Sequence, residues 1–398
     1  MITIQDPARR VPRRFALFNL GFRPFFLLAG LYSPIAILLW VGVFVYGWSL
    51  PRMPFLPIYW HAHEMVFGYG MAVVAGFLLT AVRNWTGLPT AQGAPLAGLT
   101  LLWLAARSAG WMTHSVAVPM TFDLAFDVLF IVAVTLPIMR TRQKQQAGIV
   151  AKLVLLALAN LAFWLGIAGV LRHGVEWGLY SGVYLLVALM FNMARRVLPF
   201  FIERGVGYPV QLTNHAWIDR SNLYLFLAFW IADVFVQLPL LTSLLALLLC
   251  VVHSIRLAGW HTRGIWSKPL LWVLYLGYAI VTAGFLLKAV TPMLSLSPTL
   301  ALHAIALGGV GIMTVGMMAR VSLGHTGRNI QQPPKRLTTV FTLLVLAVVF
   351  RVVLPVIISA HYLLWLAMAQ VAWIVAFLLF VRIYAPILVQ ARVDGQPG

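Results

Sequence analysis

Acidic residues are scarce in this chain. Its 398 residues include nine Asp and Glu against 28 Lys and Arg, and charged residues make up only 9%. A soluble domain carries about 25%, so a water-facing globule is excluded. Cysteine is almost absent. The single Cys250 forms neither an internal disulfide nor a thiolate cluster, which sets aside iron–sulfur and structural zinc centres. There is no Walker loop, no dinucleotide glycine fingerprint and no CxxCH attachment site, so any haem is non-covalent, of b type. No cleavable signal pattern opens the sequence. Met1–Phe22 is polar and basic, with Arg9, Arg10, Arg13 and Arg14, and the first apolar span is expected to stay in the membrane.

What is abundant is apolar sequence: 62% of residues are hydrophobic, with a mean hydropathy of +0.93. A helix crosses the hydrocarbon core in about 20 residues, and segments of that length recur between Pro, Gly and charge clusters. The pattern predicts an all-α polytopic membrane protein with about twelve spans, near 24–48, 58–82, 93–112, 116–139, 149–171, 177–201, 220–237, 239–260, 269–290, 298–320, 338–358 and 361–386. Residues 1–398 read as one integral membrane domain, a basic segment 1–22 preceding the bundle 24–386. With both termini placed in the cytoplasm, 23 of the 28 Lys and Arg fall on the inner side. Only Arg52, Arg107, Arg172, Lys288 and Arg351 are left outside, which supports that orientation and an even span count. The formal charge of +19 therefore reads as topology signals and contacts with an anionic lipid bilayer, not as a nucleic-acid surface.

Ionisable groups inside spans are costly and are usually functional or paired. Trp60-His61-Ala62-His63-Glu64-Met65 stands at the outer start of the second span. In a helix His61 and His63 diverge by about 200° and cannot share a metal; on extended chain both reach one copper ion, which imidazole suits. The plainer alternative is a pair of interfacial histidines beside Trp60. His303 lies at similar depth in the tenth span, which also runs from outside to inside. His63 and His303 are thus candidate ligands to one haem iron from opposite faces. Gly308, Gly309 and Gly311 follow, admitting either a flat macrocycle or a neighbouring helix. Met313, Met317 and Met318 read as core filling.

Arg107 and Arg351 sit inside the outer ends of their spans, as holders of haem propionates or as buried partners of Glu64, Asp123 or Asp127. On the inner side Arg320-Val321-Ser322-Leu323-Gly324-His325-Thr326-Gly327-Arg328 closes the tenth span. It offers Arg320 as a cofactor contact and His325 as a ligand, a proton relay or a turn residue. His253, Arg256 and Trp260 share one helical face.

Phe22-Arg23-Pro24-Phe25-Phe26, WHAHEM (60–65), Gly76–Ala81 with Asn84-Trp85-Thr86-Gly87, and the stretch 320–328 resemble the NnrS family, in order and over nearly the whole chain. The resemblance implies twelve spans, haem and copper, and a link to nitric oxide metabolism and resistance in denitrifying and related bacteria. It departs in one place: Leu271-Trp272 is followed by Tyr275 where the family pattern often has a His, so no ligand is placed on that helix. Together these readings lead to an inner-membrane haem b and copper protein that binds nitric oxide and reduces it to nitrous oxide with electrons from an unidentified donor. In it His63 and His303 ligate haem, His61 is a copper ligand or distal group and Glu64 donates protons. The other class of function, a haem-based sensor or sink for nitric oxide or a metal transporter, needs the same buried metal and is distinguished by the lack of electron supply.

Overall fold

The computed structural model describes residues 15–48 and 55–396. It is 81% helical, and no strand occurs among the described residues. Twelve helical rods follow one another: α1 Phe22–Tyr46, α2 Pro57–Thr86, α3 Ala94–Met112, α4 Ala117–Arg140, α5 Ala147–Ile167, α6 Gly174–Gly205, α7 Ala216–Ile231, α8 Pro239–Trp260, α9 Pro269–Val290, α10 Pro298–His325, α11 Leu337–Ile357 and α12 Tyr362–Val389. Ten are long and apolar enough to cross a membrane; α3 and α7 are the two that fall outside that set. Both occupy positions expected as spans. Arg107 and several small or polar residues dilute α3, and α7 has only 16 α-helical residues before its π-helical continuation Ala232–Val236.

Helix starts follow backbone chemistry. Pro57, Pro239, Pro269 and Pro298 each occupy a first helical position after an extended residue, where the missing N–H costs nothing. The break between α7 and α8 falls at Gln237, with φ +56.

The lipid-facing surface is apolar, and the polar side chains within the spans turn into a mostly apolar interior. On α8, Leu240, Leu244, Leu247, Leu248, Val251 and Ile255 are exposed, while Thr242, Ser243, His253 and Arg256 face inward. α2 is the central rod, with 78% of its apolar window buried.

Both chain ends meet at one end of the bundle. Ala16 N–H donates to the Val389 carbonyl (2.8 Å), and Arg23 donates to the carbonyls of Leu388 (2.8 Å) and Gln390 (2.6 Å). The same end holds the close of α10: Arg392 donates to the His325 carbonyl (3.1 Å) and Val393 N–H to Thr326 (3.1 Å). Arg392 also grips Asp394, holding that carboxyl down at about 2. An even number of crossings follows from the meeting of the ends. Arg9, Arg10, Arg13, Arg14 and Arg52 lie outside the described residues.

Three glycines of α10 act in helix packing. A Cβ at Gly309 would lie 1.9 Å from Val281 of α9, and one at Gly308 would meet Ile280 at 2.5 Å. One at Gly311 would meet Trp373 of α12 at 2.7 Å. Of the two readings open for these glycines, close helix approach is the one realised.

Candidate functional site

Three of the central helices change winding near their outer ends. α2 is π-helical over Glu64–Gly70, α10 over Ala304–Gly311 and α11 over Val349–Val353. The first two begin directly after His63 and His303, and the third contains Arg351. Such segments are rare and recur at functional sites, because the wider turn re-aims side chains and frees backbone groups.

The chain is already helical at His61 and His63, so the two rings point to opposite sides of α2. His63 is fully buried. Its Nδ1 lies 3.1 Å from Glu64 Oε1; its Nε2 lies 3.0 Å from Asn160 Oδ1 and 3.1 Å from Asp123 Oδ2. Asn160 donates through Nδ2 to Asp123 (2.9 Å) and Asp127 (2.8 Å), which fixes Oδ1 as its acceptor. Every partner of the His63 ring is therefore an acceptor, and the arrangement is that of an imidazole carrying both protons. It leaves no lone pair for a metal. Phe163 stacks on the ring at 4.4 Å and 25°.

Around His63 the network closes. Trp164 Nε1 donates to Asp123 (3.1 Å), Tyr32 donates to Glu64, and Arg107 donates to Asp123. Arg107 Nε also lies 3.3 Å from Glu64 Oε2. Arg107 is thus the buried partner of two carboxylates, while its Nη1 remains buried without a hydrogen bond. Glu64, Asp123 and Asp127, drawn from nine acidic residues in the whole chain, converge here.

His61 faces the other way. Its ring lies flat on Trp40, with centroids 4.6 Å apart and planes 13° from parallel. Its Nδ1 is buried with no hydrogen-bond partner. His303 Nδ1 donates to the Thr299 carbonyl at 2.7 Å, which leaves Nε2 as the nitrogen that carries the lone pair. Arg351 Nη2 approaches the His303 ring at 3.4–3.5 Å, and Arg351 Nη1 is buried and unpartnered. α10 and α11 thus set one imidazole beside a cation able to meet a carboxylate, and α2 offers a second imidazole nitrogen at the same end of the bundle. No third His, Cys, Asp or Glu completes a metal-binding group among the described residues. The set fits iron or copper held through two imidazoles.

The remaining candidates lie elsewhere. Arg320 sits over the Phe201 ring at 3.8 Å, and His325 packs against Phe22 at 5.7 Å. They are 17 and 22 residues along α10 from His303, roughly 25 and 33 Å at 1.5 Å per residue, so they share no site with it. Gly327, with φ +73, makes the turn expected of the Gly-His-Thr-Gly sequence. Tyr275 donates to the Leu257 carbonyl (2.9 Å) and holds α9 to α8. Asp233 pairs with Lys288 (2.8 Å) and Tyr184 (2.6 Å) at the end opposite the chain termini.

A model of the NnrS protein family matches residues 16–392. The chain belongs to the NnrS family. No curated protein matches it. NnrS membership ties the chain to nitric oxide metabolism or response, in a family generally associated with metal and haem binding. WHAHEM, read as one motif from the sequence, serves two clusters in this NnrS chain. Its first His stacks on Trp40 on the side away from the acids, and its second joins the acids. Asn160, Tyr32, Trp164 and Trp40 escaped the sequence reading. Only Asn160 left a trace, as the one carboxamide in a span whose only charged residue is Lys152.

Proposed function

We propose that the chain is a haem b and copper protein of the bacterial inner membrane that binds nitric oxide and reduces it to nitrous oxide. Two NO, two electrons and two protons give N₂O and H₂O. The observation that supports this most is the arrangement on α2, where His61 and the His63–Glu64 pair stand back to back. One side offers imidazole nitrogens beside a buried cation, and the other offers protons.

His303 and His61 are the residues best suited to hold a metal, with Arg351 placed for a propionate. His61 Nδ1 has no partner and His303 Nε2 meets only Arg351 Nη2 at 3.5 Å, whereas both nitrogens of His63 are taken by neighbouring acceptors. When bound, the metal centre would bind nitric oxide and pass to it the electrons of an external donor. Trp40 and the Thr299 carbonyl fix the two rings in orientation, so little entropy is lost on binding. Glu64 is the proton relay of this reading, a carboxylate that accepts from His63 and Tyr32 at its two oxygens and passes their protons on. Arg107 keeps the neighbouring carboxylates in place.

The deciding experiment is anaerobic incubation of purified protein with nitric oxide and a chemical reductant, following NO loss and N₂O formation. Stoichiometric N₂O with turnover supports the enzyme. Binding of NO with no N₂O overturns it in favour of a sensor or sink.

A further inference from the structure

Below the π-helical segments the bundle holds an apolar cavity of about 90 Å³ between α2, α6 and α10. Val73 and Phe77 of α2, Met190 and Met193 of α6, and Met313 and Met317 of α10 form most of its walls. Among the residues around it only Thr314 carries a polar side chain, and that hydroxyl is spent. It donates to the Gly311 carbonyl (2.9 Å) and accepts from Tyr69 (2.7 Å). A trapped water needs two to four polar partners, and cavities without them stay dry and take apolar solutes.

Size restricts the occupant. An apolar cavity of about 150 Å³ takes benzene or xenon, so 90 Å³ is too small for a porphyrin or a quinone ring. Methionine thioethers are flexible and polarizable, which lets such walls close on a small, weakly polar guest.

The cavity is also well placed. Gly70 and Val310, in its lining, belong to the π-helical segments of α2 and α10. His63 and His303 lie seven residues outward of them, at most roughly 10 Å along each helix. Tyr69 and Thr314 tie α2 to α10 at this boundary. Gly70 lets Leu186 of α6 close in, since a Cβ there would lie 2.7 Å from Leu186 Cδ1.

We propose that this cavity is a binding chamber for a small apolar gas molecule, and that it delivers nitric oxide from the membrane interior to the polar site above it. The second half rests on the nitric oxide reading; the first does not. NO is neutral and diatomic and dissolves in hydrocarbon, so an entry within the bilayer draws on the phase in which it is concentrated.

Xenon tests the chamber without any chemistry. In full-length protein with ¹³C-methyl methionine, xenon should shift the resonances of Met190, Met193, Met313 and Met317 and leave Met112 and Met293 unmoved. Ala194→Phe and Val310→Phe, which fill the cavity from opposite walls, should abolish those shifts. Each should raise KM for NO several-fold with kcat unchanged, thermal unfolding reporting that the variants are folded. Absence of xenon shifts in the wild type, a measurement that needs no variant, overturns the chamber. Xenon shifts lost in filled variants that keep the wild-type KM overturn the delivery route. Wild-type protein that consumes no NO overturns the nitric oxide reading and delivery together, while xenon still decides the chamber.

Discussion

His61 and His63, two residues apart on α2, belong to different clusters. His61 lies against Trp40 with Nδ1 unpartnered, while His63 is held by Glu64, Asn160 and Asp123. This divides the roles expected of them. His61→Ala and His303→Ala are each expected to strip haem from purified, folded protein. His63→Ala is expected to keep haem and lower the unfolding midpoint. His114→Ala and His173→Ala, in loops, should change neither. Pyridine haemochrome content per folded protein is the measurement. Haem retained in His61→Ala and lost in His63→Ala would restore the pairing of His63 with His303 read from depth alone.

Arg107 tests whether the acid cluster is held together by its cation. Asp123 is almost wholly buried, and Arg107 donates to it while pairing with Glu64. Removing one partner of a buried pair leaves an uncompensated charge, at a cost of about 3–5 kcal/mol. Arg107→Leu should lower detergent-phase stability by that order, and Arg107→Leu/Asp123→Asn by much less than the sum of the single changes. Additive losses in the double-mutant cycle would deny the coupling.

Topology can be checked without purification. The chain ends pair at Phe15 and Gln390, and α10 closes at the same end. Reporter fusions after Lys144, Arg204 and Lys335 should report cytoplasm, and one near Ser297 periplasm. The fifth outer cation, Arg52, and the companion site at Pro54 lie outside the described residues. A periplasmic signal at Lys335 would invert the map.

Much of the fold was open to reading from the sequence, because lipid imposes one rule on every span. A run of about 20 apolar residues, bounded by Pro, Gly or charge, has little choice but to cross. The charge asymmetry was legible for the same reason, and its exceptions prove informative. Arg107, Lys288 and Arg351 are outer cations committed to Glu64 and Asp123, to Asp233, and to His303. The site was legible in its members more than in its grouping. Depth along a helix placed His63 and His303 at one level, but azimuth decides partners. Azimuth on α2 depended on the helix beginning before His61 and on a π-helical stretch that no residue pattern announces. Arg320 and His325 were read as an inner-side set of their own, and they lie a helix length from His303.

Helix contact through glycine gives a prediction about α10. Gly309 touches Val281 so closely that a Cβ would overlap its Cγ2. Gly309→Ala must push α9 away, and overpacking of this kind costs about 1–3 kcal/mol. Thermal unfolding should register the loss. A wild-type midpoint would show that the α9–α10 seam is slack.

Proton supply is the point on which the structure favours one side of the membrane. Three carboxylates, His63 and Tyr32 form one network near the outer ends of α2, α4 and α5. On the inner side Asp219 is engaged by Arg195 (2.7 Å) and Arg256 (2.6 Å). His253, buried one turn from Arg256, spends both nitrogens on Tyr278 (2.6 Å) and Asn222 (2.9 Å), with Phe191 stacked on its ring at 4.0 Å. Phe285 lies parallel to the ring at 6.3 Å. No acidic ladder joins the halves among the described residues. Protons for nitric oxide reduction are therefore expected from the periplasmic side through Glu64, and turnover is expected to move no net charge across the membrane. Glu64→Gln should retain haem, because the imidazoles of the other cluster are untouched, while turnover slows. Proteoliposomes of known orientation, with a pH dye inside or outside, read the side of uptake directly. Uptake from the cytoplasmic face, or wild-type turnover in Glu64→Gln, would put the proton path through the His253 half of the bundle instead.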